Sequence, residues 1–76
     1  MVKRLRLYKP KEVVRKLKRC GFVEFHQKGS HLVLKNSVTN RMTVVPMHAG
    51  KDIPREMLKN IVVHQAGITI EKFIVA

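Results

Sequence analysis

The sequence has little cysteine, few acidic residues and no long apolar run. Its 76 residues include one cysteine, Cys20, which excludes an intramolecular disulfide and most cysteine-based metal sites. No stretch approaches the roughly 20 apolar residues of a membrane span. The basic residues 1–8 lead into no apolar run of the kind that a secretory signal needs. These absences predict a cytoplasmic protein, with a single domain over residues 1–76.

The charge of the chain is strongly of one sign. Sixteen Lys and Arg residues against five Asp and Glu give a formal net charge of +11 at pH 7. A domain this basic attracts polyanions. Nucleic acid is the first candidate partner, and an acidic protein or an anionic membrane surface are the alternatives. Hydrophobic residues make up 45% of the chain, which favours a folded core over intrinsic disorder.

Apolar residues at helical spacing predict helices at both ends of the chain. The first helix is expected from Pro10 to Cys20, because proline suits the first helical position. A second helix, with Pro54 in its first turn, should end at Gly67. A short last helix should be capped by Thr69.

Between these helices, alternating apolar and polar residues predict three strands. The expected ranges are 22–27, 30–35 and 41–46. In the first strand, Val23 and Phe25 should lie on one side and Glu24 and His26 on the other. Short loops between the strands imply an antiparallel meander. The predicted fold class is therefore α+β, in the order α-β-β-β-α plus a short C-terminal helix. This arrangement, with helices on one face of a three-stranded sheet, is similar to the double-stranded-RNA-binding-like fold.

Four histidines are the first candidates for chemistry: His26, His31, His48 and His64. Their spacing matches no standard zinc pattern, so no metal and no cofactor is expected. His64 lies near the predicted C-terminal end of the second helix, where the helix dipole favours a cation. That position is a sufficient structural reason for a histidine at residue 64.

The setting of His31 is different. It follows Gly29 and Ser30 at the start of a strand, where glycine allows a tight turn and the approach of a ligand. Alternation places His31 on the same side as Lys35 and away from the leucines of that strand. Lys28 and Lys35 bracket the imidazole with positive charge.

RNA cleavage requires little more than such a site. RNA carries its own nucleophile, the 2′-hydroxyl, so an enzyme need only move a proton and stabilise the charged transition state. An imidazole serves as acid or base near neutral pH, and Lys or Arg stabilises the developing charge. A single histidine among cations is therefore chemically adequate without a metal.

Four segments of the chain carry a family resemblance. They are Leu17-(x)3-Gly21-Phe22, Lys28-Gly29-Ser30-His31, Val44-Val45-Pro46-Met47-His48 and Ala66-Gly67-Ile68. In this order and spacing, from about Pro10 to Phe73, the chain resembles the HicA toxin family.

The resemblance implies a fold, an activity and a partner. HicA proteins are toxins of toxin–antitoxin pairs, have the double-stranded-RNA-binding-like fold and cleave messenger RNA. The histidine of their Gly-Ser-His element is catalytic, and here it is His31. Their partner is a HicB antitoxin. His48 matches the Pro-x-His element and is expected to be structural or to line the site.

The interpretation is therefore a metal-independent endoribonuclease, with His31 as general acid or base. The hypothesis for RNA binding assigns phosphate contacts to Lys28, Lys35 and Arg41. It assigns substrate orientation to Ser30 and supporting positions to Gly29 and His48. Two alternatives remain open, because fold does not imply function. One is a non-catalytic RNA-binding module, and the other is a basic module that holds an acidic protein.

Overall fold

The structure is a computed structural model that describes residues 7–48 and 50–76. The elements are α1 (Pro10–Arg19), β1 (Val23–Lys28), β2 (His31–Asn36), β3 (Arg41–Pro46), α2 (Arg55–Lys59), a π-helical segment (Asn60–Gln65) and α3 (Ile70–Val75). This order and the antiparallel sheet β1-β2-β3 confirm the predicted α+β fold class. Most of the N-terminal segment used to argue against a secretory signal lies outside the described residues. In the described ranges, no helix has the length and apolar character needed to cross a bilayer.

Helix α1 begins and ends for local reasons. Pro10 occupies its first turn, where a missing N–H leaves no unpaired donor. The carboxylate of Glu12 accepts a hydrogen bond from the backbone N–H of Lys9 at 3.1 Å, which is one half of a capping box. Gly21 follows the helix with a φ of 97°, a conformation that glycine adopts without strain.

The sheet separates a buried face from an exposed one. In β2, Leu32 and Leu34 are buried, whereas His31 is exposed and Val33 and Lys35 are half-buried. The alternation predicted for this strand is confirmed. The buried face packs against the helices in one core, whose fully buried side chains include Leu17, Leu34, Val45, Leu58, Ile61 and Phe73.

The alternation predicted for the first strand is wrong. The register shifts between Glu24 and His26, so that His26 pairs with Val33 while Val23 pairs with Lys35. A β-bulge of this kind places two residues of one strand opposite one residue of its partner. His26 therefore shares a face with Val23 instead of opposing it. Every side chain of β1 is exposed.

The periodicity predicts a uniform second α-helix, but the helix changes to π-helical geometry at Asn60. The N–H of Ala66 donates to the carbonyl of Ile61, five residues back, at 2.9 Å. This geometry delivers Gln65 to the edge of the sheet, where its Oε1 accepts a hydrogen bond from the N–H of Val44 at 2.9 Å. The Gln65 side chain thereby pairs with the N–H of Val44. This donor has no partner in the sheet, because β3 is an edge strand.

Helix α3 has the predicted cap, because the hydroxyl of Thr69 accepts a hydrogen bond from the N–H of Lys72 at 3.1 Å. Its other end is held by a largely buried lysine of α1. The Nζ of Lys16 donates to the carbonyls of Ile74 and Ala76 at 2.9 and 3.0 Å. Cations are favoured at such helix ends, where carbonyls lack partners.

Candidate active site

A tight turn between β1 and β2 positions His31. Lys28 and His31 form the last pair of the β1–β2 ladder, so only two residues connect the strands. Gly29 has a φ of 58°, and Ser30 is not among the residues with positive φ, which fits a type II′ turn. A Cβ at Gly29 would meet no atom within 4 Å. The space beside Gly29 in this turn is therefore open.

Pairing with β3 brings His48 to the same end of the sheet. His31 pairs with Pro46, and the N–H of Met47 donates to the carbonyl of Ser30, one step beyond the strand. His48 follows directly. The Gly-Ser-His and Pro-x-His segments, which lie apart in the sequence, are thus neighbours through backbone hydrogen bonds.

Residues 50–53 are fixed against the start of α1. The Nζ of Lys9 lies 2.9 Å from Oδ1 of Asp52 and donates to the carbonyl of Gly50 at 3.1 Å. The N–H of Ile53 donates to the carbonyl of Tyr8 at 2.8 Å. These contacts hold the segment as one wall of a recess, and Lys9 balances the carboxylate of Asp52.

That recess is a cavity of about 290 Å³ at the end of the sheet. Its polar lining comes from His31, His48, Lys51 and Asp52, and its apolar lining includes Pro10, Ile53 and Met57. Two imidazoles and an ammonium group therefore share one recess with apolar walls.

Four of the basic side chains here have no structural partner in the part of the chain that the structure describes. His31, His48, Lys28 and Lys51 are exposed, and none of them makes a side-chain hydrogen bond or ion pair within the described ranges. Exposed basic side chains without a partner can bind a ligand without first breaking an internal contact. This arrangement suits a phosphate group and a proton transfer beside it.

The other cations predicted to bind phosphate lie farther from His31. Lys35 is on the same strand face, four residues along, which is about 13 Å at the usual strand rise. Arg41 is at the opposite end of the sheet, because it pairs with Asn36 at the far end of β2. Its Nη1 donates to the carbonyl of His64 at 3.4 Å. The structure thus places Lys28 next to His31 and does not bring Arg41 to the cavity.

Sequence reasoning missed Lys51 and Asp52 as lining residues. The only available signal was their place three and four residues after His48, in a segment whose path cannot be inferred from a pattern. Where the structure describes the chain, it contains no group of three or more His, Cys, Asp or Glu side chains arranged to hold a metal ion.

Fold and site together define a class: a small, basic α+β protein with an exposed histidine on a double-stranded-RNA-binding-like scaffold. The profile of the family described as "HicA toxin of bacterial toxin-antitoxin" matches residues 10–68. The chain therefore belongs to the HicA toxin family, which confirms the resemblance and implies an antitoxin as partner. No curated protein gives a significant match to the sequence.

Proposed function

We propose that this toxin is a metal-independent endoribonuclease that cleaves messenger RNA in the cytoplasm. The observation that carries the proposal is the position of His31. Its exposed imidazole has no hydrogen-bond or ion-pair partner among the described residues and lines a cavity with Lys51 and a second imidazole. In the strand ladder, His31 pairs across the turn with Lys28. A residue kept for packing or capping would be buried or hydrogen-bonded instead.

In this mechanism, the 2′-oxygen of the RNA attacks the adjacent phosphorus and the bond from phosphorus to the 5′-oxygen breaks. His31 takes the proton from the 2′-hydroxyl or donates one to the departing 5′-oxygen. Lys28 and Lys51 stabilise the negative charge that develops on the phosphate oxygens. His48 contacts the substrate from the end of β3, Ser30 orients it, and the open space at Gly29 admits the RNA.

The partner in this proposal is a HicB-like antitoxin. Family membership supports an antitoxin in general, and the net charge of +11 supports an acidic surface on it. Such a partner suppresses the toxin by covering the cavity around His31.

Inducible expression tests the function directly. Expression of the wild-type chain should arrest growth and deplete total messenger RNA, whereas His31→Ala should do neither, because His31 performs the proton transfer. Growth curves and northern blots of abundant transcripts measure both effects. Equal toxicity of the two chains would mean that RNA or protein is sequestered without cleavage, which is the non-catalytic alternative.

The salt dependence of RNA binding tests the phosphate contact of Lys28. Each phosphate contact to a single strand contributes about −0.7 to the slope of log K against log salt, so Lys28→Ala should make the slope shallower by about that amount. Fluorescence anisotropy with His31→Ala as the non-cleaving background measures it. Lys72→Ala, an exposed lysine on α3, is the matched control and should leave the slope unchanged. An unchanged slope with Lys28→Ala would remove this contact from the mechanism.

A further inference from the structure

We propose that the exposed face of the sheet binds single-stranded RNA, with the ring of Phe25 as the surface on which one base stacks. We call this surface the outer face; it is formed by Val23, Phe25, His26, Lys28, His31, Val33, Lys35, Met42 and Val44. The proposal rests on the proposed ribonuclease function and names where the substrate lies beyond the cleaved bond.

The β-bulge places Phe25 on the outer face. Because the register shifts between Glu24 and His26, Phe25 is the extra residue of β1. The Nζ of Lys35, a residue on the outer face, lies 5.4 Å from the centroid of the Phe25 ring. The ring is therefore reached from this face and is held in a cation–π contact.

Several apolar side chains of the outer face are exposed to solvent. Val23 and Phe25 are each 60% exposed, Met42 is 45% exposed, and Val44 is also exposed. No described element of the chain covers these side chains. Contiguous exposed apolar patches bordered by polar residues are typical of binding sites.

The charge of the outer face selects the kind of ligand. Its charged groups are Lys28 and Lys35, and no carboxylate lies on it, because Glu24 occupies the opposite strand face and pairs with Lys18. The core of a protein–protein interface is depleted of charged residues, whereas here Lys28 and Lys35 lie at the two ends of the face, on either side of its apolar side chains. Cations that contact phosphates beside a ring that stacks on a base are the usual combination for single-stranded nucleic acid.

The outer face also leads to the candidate active site. His31 lies on it at one end of β2, and Lys35 lies about 13 Å away along the strand. Phe25 lies between these two levels, because its two chain neighbours pair with Leu34 and Val33. A few nucleotides of RNA cover this distance. A strand with its cleaved phosphate at His31 can therefore run along β2 and place a nearby base on Phe25.

The test uses a short single-stranded oligoribonucleotide with 2-aminopurine at successive positions, bound to the full chain carrying His31→Ala. Stacking quenches 2-aminopurine fluorescence, so one position should be strongly quenched. Adding Phe25→Leu should weaken binding on the order of tenfold, since base–aromatic stacking contributes about 1–3 kcal/mol per base, and should remove that quenching. Phe25→Tyr should retain both, because it keeps the ring. Val38→Ala, at a residue 92% exposed in the β2–β3 loop, is the matched control and should change neither.

The outcomes separate this proposal from the function on which it rests. If the wild-type chain cleaves RNA while Phe25→Leu leaves affinity and quenching unchanged, the stacking site is wrong and the ribonuclease function stands. If Phe25→Leu leaves RNA binding intact but abolishes co-purification of a co-expressed acidic antitoxin, the outer face belongs to the protein partner and the proposal is overturned. If the wild-type chain neither binds nor cleaves RNA, both proposals fail.

Discussion

Replacing His31 with alanine is expected to lower the rate of RNA cleavage by about 10²–10⁴-fold, the usual contribution of general acid–base catalysis. The reason is that His31 is the proposed acid or base: its imidazole is exposed, it pairs with Lys28 in the strand ladder, and it lines one cavity with Lys51. Because the side chain is exposed and makes no hydrogen bond to the part of the chain that the structure describes, its removal should not unfold the protein. The loss of rate should therefore appear without a change in the urea midpoint of unfolding.

The measurement is the single-turnover cleavage of an end-labelled oligoribonucleotide in buffer that contains EDTA. His64→Ala is the matched control, since His64 is exposed on the π-helical segment and does not line the His31 cavity. It should cleave at the wild-type rate. Cleavage by His31→Ala at the wild-type rate would contradict the assignment and move the search for the acid or base to His48.

Replacing Phe73 with alanine should lower the free energy of unfolding by about 3–5 kcal/mol, the usual cost of removing a buried phenylalanine ring. Phe73 is 0% exposed, and its ring meets Tyr8 edge to face with centroids 5.2 Å apart. The Nζ of Lys16 lies 5.7 Å from the ring centroid. A chain of this length has a stability of about 4–11 kcal/mol in all, so this one substitution should bring the protein close to unfolding.

Urea titration followed by circular dichroism measures the effect. Phe25→Ala is the matched control, because it removes the same ring from a position that is 60% exposed, and it should cost less than about 1 kcal/mol. The contrast also tests α3, which lies beyond the residues 10–68 that match the family. Equal small losses for the two variants would show that α3 does not pack on the core.

The predictions from sequence succeeded where the physical cause is local. Pro10 and Thr69 begin helices because of the backbone groups in their own turns. Likewise, the alternation of Leu32 and Leu34 with Val33 follows from the two-residue period of a strand. These effects act over a few residues, so the local sequence pattern is enough to predict the helix starts and the strand faces.

The predictions failed where distant contacts decide the geometry. The bulge at Phe25 reversed the side expected for His26, because register depends on the partner strand β2. The π-helical segment that ends at Gln65 goes together with that side chain's contacts with β3, which helical periodicity does not show. Strand pairing also decides that Arg41 lies at the far end of the sheet from His31, while its predicted phosphate contact stays a prediction.

The sequence by itself determined the order of helices and strands, the strong positive charge and the turn that exposes His31, because local backbone preferences and composition fix these features. Only the tertiary structure decided what surrounds that histidine. The β2–β3 ladder brings His48 beside it, the contacts of Lys9 hold Lys51 at the cavity, and the bulge turns Phe25 onto the outer face. Each of these depends on pairing between residues far apart in the chain, and such pairing is settled only when the core packs.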